Sequence, residues 1–270
     1  MTFKILLSTA VWGEDYLEIF LEYTLKSLYT NGNLLNKEFS KKSEYIIYAE
    51  KNYFKSIRDH SNFKKLKKKI KIKLIEINNS KKNKYLQLKN YQNFSLEYGY
   101  KNKFEYFSFI YPDSIFGENH FKTNFSKIKN GMKLVMCPGP LVIYENFFSF
   151  FKNKKINNVN LTKMVLKYLH PFYKSFHKDI LNSRIKIFDN RKEDYQLYRC
   201  FDLHISIISL AIKNLKIKNS YDVDLLENKD LDQQHIGYFE KSNEGIIITL
   251  ESINSNRTKE TQSLLFFDGN

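Results

Sequence analysis

The chain has 270 residues, 42% of them hydrophobic and 16% aromatic, which is enough apolar surface for one large α/β domain or two small ones and excludes a disordered chain. Its net charge is +15, yet only Arg58, Arg184, Arg191, Arg199 and Arg257 of the 44 basic residues are arginine. Bidentate readout of bases depends on arginine, so the charge weakly favours a nucleic-acid partner and suits an anionic lipid surface or a phosphorylated ligand as well.

The N-terminus, MTFKILLSTAVWGEDY, is too short and too polar for a signal peptide or a membrane span, and no later segment reaches eighteen uninterrupted apolar residues. A cytoplasmic protein is expected, and Cys137 and Cys200 suit a reducing compartment without a disulfide framework. Residues 3–11 read as a buried strand, followed by a polar loop at Gly13-Glu14 and an amphipathic helix from Tyr16 to Tyr29. A short strand over residues 45–49, a polar helix from Lys51 to Lys69 and an alternating strand over residues 70–77 come next. Strands separated by helices in this order predict βαβ units and a mainly parallel sheet.

A helix is predicted from Tyr85 to Tyr98, a strand over residues 104–111, a helix over 116–130 and a strand over 132–136. Cys137-Pro138-Gly139-Pro140 is expected to break regular structure, because two of its residues lack a backbone donor. A helix from Leu161 to Lys178 containing His170-Pro171, a strand from Cys200 to Ile208 and a short strand over 246–250 complete the pattern. The Asn/Lys-rich pieces at 78–84 and 152–158 read as surface loops within a single fold.

Ligands of open α/β sheets bind at the carboxyl ends of the strands, and Pro112-Asp113-Ser114 ends a predicted strand. A carboxylate there can hold Mg2+ or Mn2+ against a diphosphate; equally, Asp113 or Ser114 can cap a following helix. At the end of the first strand, Ser8, Thr9 and Ala10 let a nucleotide approach the backbone, and Trp12 either faces a base or sugar or fills the core. Neither G-x-G-x-x-G nor a P-loop is present, so a phosphate site needs a metal or lysines.

Strict alternation puts Asp202 and His204 on one face of the late strand, as a metal- or sugar-binding pair or as a hydrogen-bonded structural histidine. His170 and His177, seven apart, lack the spacing of helical zinc sites. Asp222 and Asp224 form a D-x-D that, in an extended segment, turns both carboxylates to one side as a cation site or a solvated acidic turn. Lys64-Lys65-Leu66-Lys67-Lys68-Lys69 is either a solvated helix end or a contact for a membrane or polyanion.

In order of elements over some 220 residues, ILLSTAVWGEDY, FSFIYPDSIFG and RCFDLHISI resemble a GT-A type nucleotide-sugar glycosyltransferase, and the WGE start, PDS segment, His-Pro pair and Leu203-His204 resemble poorly characterised bacterial glycosyltransferase-like proteins. The resemblance implies a Rossmann-like GT-A fold, α/β with a mainly parallel sheet flanked by helices and a smaller C-terminal region. Residues 1–150 would bind the nucleotide sugar through Thr9, Ala10, Trp12, Glu14, Asp113 and Ser114, and residues 151–270 would form the acceptor side of the same domain. It further implies Mn2+ or Mg2+ on Asp113 and His204, with Asp222, Asp224 or Glu145 as the base that activates an acceptor hydroxyl. The usual second acid of the metal motif is missing, because position 115 is isoleucine. It implies as well a surface polysaccharide or other glycoconjugate, glycan or lipid-linked, as acceptor, and a setting in the cytoplasm or on the inner face of the membrane. The competing expectations are a protein that binds or modifies nucleic acid and a degenerate transferase fold used for interaction.

Overall fold

A computed structural model of the chain describes residues 2–34, 36–39, 41–77, 84–152, 154–171, 188–190, 195–197, 203–240 and 244–254. Strand β1 (Ile5–Val11) is buried along its whole length, and alternation sends Ile5, Leu7 and Val11 to one face of the sheet and Leu6 and Ala10 to the other. Gly13, with a φ of 85°, turns the chain into α1 (Glu14–Ile19), which continues through a π-helical turn (Phe20–Thr24) into α2 (Leu25–Ser27). The helix thus starts two residues before the predicted one.

After β2 (Glu44–Ala49) the predicted single helix is two, α3 (Phe54–Asp59) and α4 (Ser61–Lys67), preceded by a 3-10 turn at Lys51–Tyr53. The break falls at His60, whose extended backbone and ring nitrogen cap α4 by accepting from the Asn62 N–H at 3.3 Å. Strand β3 (Lys71–Glu76), helix α5 (Lys84–Lys101) and strand β4 (Tyr106–Phe109) follow the predicted order.

The next elements depart from expectation. Residues 114–116 form strand β5 (Ser114–Phe116), and helix α6 (His120–Lys129) begins only after Asn119. Strand β6 (Leu134–Pro138) includes Cys137 and Pro138, because a proline in the last position of a strand forfeits no interior ladder bond; the break comes at Gly139. Strand β7 (Leu141–Ile143), helix α7 (Tyr144–Phe151) and helix α8 (Asn158–Tyr168) follow. The predicted helix to Lys178 ends at Tyr168, and Leu169 instead bridges to Val142 while His170 is buried with Nε2 3.1 Å from the Ser252 carbonyl; residues 172–178 with His177, together with Cys200 and Asp202, lie outside the described residues. The chain closes with β8 (Phe188–Asn190), β9 (Tyr195–Leu197), β10 (Leu203–Ser209), α9 (Tyr221–Leu226), a 3-10 turn (Gln233–His235), β11 (Ile236–Tyr238) and β12 (Ile247–Glu251).

Among the described residues the main sheet has seven strands in the order β11-β6-β10-β4-β1-β2-β3, all parallel except β10, which runs antiparallel to both its neighbours. Helices α1 to α4 and α6 pack on one face, α5 and α9 on the other. A second sheet, β5-β12-β7, buries Ile115, Val142, Ile248 and Leu250 against α7 and α8. This is the expected α/β architecture, a mainly parallel sheet flanked by helices, with β10 and β11 from the second half of the chain completing the sheet begun by the first. Among the described residues no helix is long and apolar enough to cross a membrane.

Candidate functional site

The antiparallel insertion of β10 brings the candidate residues together. Because β10 pairs with β4 as Ile208 to Phe107 and Ser209 to Tyr106, its first residues lie level with the residues that follow β4. The carboxyl end of β4 and the start of β10 therefore share one rim of the sheet, the rim at which the parallel strands deliver their loops. The Tyr111 and His204 rings meet across it, with centroids 6.1 Å apart.

Asp113 lies two residues past Tyr111, in a β-turn closed by the Ser114 N–H donating to the Tyr111 carbonyl at 3.1 Å. Proline suits the second position of such a turn, and both central carbonyls are engaged: that of Pro112 accepts from Thr24 Oγ1 at 2.6 Å and that of Asp113 from the Leu250 N–H at 3.2 Å. The turn joins the two sheets and is held from both sides, so the half-buried Asp113 side chain projects from a fixed backbone. Capping by Pro112-Asp113-Ser114 is thereby corrected, since strand β5 and not a helix starts at Ser114. Ser114 itself is buried and paired with Thr249, away from the rim surface.

His204 is the second residue of β10. Its Nδ1 faces Asp222 Oδ2 at 3.3 Å, while Asp222 Oδ1 accepts from the Ile205 N–H at 2.8 Å. Gly139 lies directly beneath the ring, and Cys137 pairs with His204 in the β6–β10 ladder. The Cys137 thiol contacts the His204 carbonyl at 3.7 Å and is pushed up by burial, so it stays protonated and is no nucleophile.

The extended D-x-D expected at residues 222–224 is corrected as well: both acids lie in the first turn of α9, where they favour the helix dipole and point in different directions. Asp222 is turned to His204, whereas Asp224 accepts from the backbone N–H groups of Lys218, Asn219 and Ser220 at 2.6–3.0 Å and shapes the loop entering the helix. Glu145, at the start of α7, accepts from Ser252 Oγ at 2.5 Å and from the Ile253 N–H at 3.2 Å. Partial burial opposes ionisation there, but these hydrogen bonds outweigh it and hold the carboxyl below the usual range.

The remaining candidates separate. Thr9 and Ala10 are buried inside the sheet, where the Thr9 hydroxyl faces that of Tyr45. Trp12 is half-buried and packs against the aromatic core on the α5 side, which includes Tyr48 stacked on Tyr91 with centroids 4.8 Å apart. Trp12 thus both contributes to the core and keeps an exposed edge. Glu14 is exposed and lines a groove of about 480 Å3 between α1 and α3 together with Glu18, Glu22, Tyr53 and His60. Burial, then Glu50 and Glu14, push the Tyr53 phenol up, and Glu14 and Asp15 stand on the first turn of α1, where acids suit the helix dipole.

The donors at the rim decide whether a hard cation fits. One carboxylate, Asp113, and one imidazole, His204, stand at adjacent strand ends, and among the described residues no group of three or more His, Cys, Asp or Glu side chains is assembled for a metal. The missing second acid has a structural counterpart: Ile115 is 0% exposed, turned into the core of the small sheet. Two donors suit Mn2+ or Mg2+ only when phosphate oxygens of a substrate complete the shell. Sequence reasoning missed Tyr111, the part of Gly139 beneath His204 and the Thr24 clamp; of these, only Gly139 lies in a segment the sequence singled out, as a break in regular structure.

No known family's sequence profile matches the chain, and no curated protein matches it. Among solved structures, TarS of S. aureus is similar over 52% of this chain and 22% of its own, at 14% identity and a TM-score of 0.36, so the match spans about a fifth of that protein. Similar over almost the whole chain are the 4-diphosphocytidyl-2C-methyl-D-erythritol synthase from Anaerococcus prevotii (13% identity, 97% of this chain and 98% of that one, TM-score 0.41) and the inositol-1-phosphate CTP transferase from T. maritima (13% identity, 97% and 96%, TM-score 0.43).

Proposed function

We propose that this chain is a nucleotide-dependent transferase, and specifically a glycosyltransferase that moves a sugar from a nucleoside-diphosphate donor to a glycan or lipid-linked acceptor. One observation carries the reading: an acid on a doubly held turn after β4 and a histidine backed by a carboxylate at the start of β10 stand at adjacent strand ends of an open α/β sheet. A simple binding module needs neither feature. The exposed edge of Trp12 would cover the base or ribose, beside the stacked Tyr48 and Tyr91.

Asp113 and His204 would hold Mn2+ or Mg2+ together with the donor diphosphate. The ion, when bound, supplies positive charge to the leaving nucleoside diphosphate as the glycosidic bond to it breaks. The chain's own part is to place those two side chains on backbone that does not move, so that no reorganisation is needed as charge develops. Thr24 and Leu250 do this for Asp113, and Asp222 does it for His204. Peripheral attachment to an anionic membrane fits a further feature: Lys64, Lys65, Lys67, Lys68 and Lys69 are all exposed at the end of α4, and among the described residues none is ion-paired.

A thermal-shift panel of nucleoside diphosphates and nucleotide sugars, with and without Mn2+, tests the reading on the intact chain. A Mn2+-dependent stabilisation by one nucleotide class, lost in Asp113→Ala and His204→Ala, is the expected result. No shift with any nucleotide, combined with salt-sensitive retention of DNA or RNA, would overturn it in favour of the nucleic-acid binder.

A further inference from the structure

We infer that Asp222 and Gly139 form a clamp that fixes the orientation and the tautomer of His204, which makes Asp222 a positioning residue and not the base that deprotonates an acceptor. The inference rests on the reading above only in taking His204 to touch the metal or the diphosphate; the clamp itself is a matter of geometry.

The Asp222 carboxylate spans two successive residues of β10, one oxygen on the Ile205 N–H at 2.8 Å and the other facing His204 Nδ1 at 3.3 Å. It cannot turn toward an acceptor without giving up a backbone hydrogen bond. An ionised carboxylate only accepts, so the neutral imidazole carries its proton on Nδ1 and its lone pair on Nε2, the nitrogen that a cation or a donor group would use. The Cδ2–Nε2 edge of the same ring lies on the backbone of Gly139. A Cβ at that position would come within 1.9 Å of Cδ2 and 2.6 Å of Nε2, so any other residue drives the ring out of its place. Tyr111 stands on a third side. Three separate parts of the fold, helix α9, the turn after β6 and the end of β4, thus converge on one imidazole.

The substitution that isolates the clamp is Asp222→Asn. The amide oxygen can still accept from Ile205, which preserves the strand, but the NH2 group then faces Nδ1 and requires a lone pair there, so the proton moves to Nε2. NMR of the full chain with 15N-labelled histidine, at a pH where the ring is neutral and with the His204 signals identified by their absence in His204→Gln, reads this directly. The expected result is the Nδ1–H tautomer in the wild type, the Nε2–H tautomer in Asp222→Asn, and a Mn2+ affinity in the presence of UDP that falls about 10–100-fold in the variant. Gly139→Ala is expected to replace the single tautomer by a mixture, and it decides the matter together with the wild-type spectrum should Asp222→Asn fail to fold. An Nε2–H tautomer in the wild type, or His204 signals unchanged in either variant, would overturn the clamp. Should the tautomer switch occur while the wild type binds neither Mn2+ nor UDP, the clamp stands and the transferase reading fails.

Discussion

Replacing Ile115 with aspartate restores, on paper, the second acid of a D-x-D metal motif; the structure requires it to damage the fold instead. Ile115 is 0% exposed on β5 and packs with Ile19, Val142, Phe147 and Ile248 in the core of the small sheet. Losing that side chain removes about 1.5–3 kcal/mol of burial. The carboxyl must also be kept protonated at neutral pH, which costs about 1.4 kcal/mol for each pH unit above its ordinary value near 3.9, or about 4 kcal/mol at pH 7. Together these approach about 5–7 kcal/mol, comparable with the whole stability of an ordinary domain. The assay is urea unfolding from pH 4 to 7 of Ile115→Asp beside Ile115→Asn, which buries a similar shape without the titration. A carboxyl whose folded value is raised loses stability as pH rises above the unfolded value, so the gap between the two variants should widen by about 1.4 kcal/mol per pH unit. An Ile115→Asp protein of near wild-type stability that gains Mn2+ affinity would refute the reasoning, because its side chain would then have reached the rim.

Two further outcomes follow from other parts of the molecule. Reversing charge at Lys64, Lys65 and Lys68 should weaken binding to phosphatidylserine-containing vesicles by more than about a hundred-fold at low salt, at about 1 kcal/mol per lysine, and leave nucleotide binding at the opposite end of the sheet unchanged; binding that ignores both the substitutions and salt would rule the face out. His120 is fully buried, with Nε2 2.6 Å from Ser206 Oγ, and burial pushes its imidazole down to about 3. Since the unfolded ring titrates near 6.5, the stability this neutral histidine contributes is present above that pH and falls by about 1.4 kcal/mol per unit as pH drops toward 3; unfolding curves of His120→Gln should be flatter over that range, and parallel curves would contradict the burial.

Much of the sheet was legible because alternation and helical spacing report burial, and burial is what holds β1, β2, β4 and α5 in order; the edge strand β3, none of whose residues is buried, showed itself by alternation alone. What the pattern could not report is pairing between distant segments. The three-residue strands Ser114–Phe116 and Leu141–Ile143 are too short to show a period; they exist because β12, more than a hundred residues from either, supplies their hydrogen bonds. For the same reason Asp113 looked like a helix cap: Ser114 carries the side chain of a capping residue, and only the pairing with Thr249 reveals a strand.

The site divides along the same line. Asp113 and His204 stand out as candidates in the sequence because each ends or begins an apolar run, a local signal. Their supports were not, because Thr24 reaches the Pro112 carbonyl across 88 positions, and Asp222 had been grouped with Asp224 on a spacing that means one thing in a strand and another in a helix. Two residues apart on a helix, the two carboxylates diverge by about 200°. One is therefore available to His204 only because the other is committed to the loop, and the chemical difference between them arises from the three backbone N–H groups that Asp224 accepts. A carboxylate that holds a loop and a carboxylate that holds an imidazole look identical as letters; the helix that separates them is what assigns Asp222 to the rim.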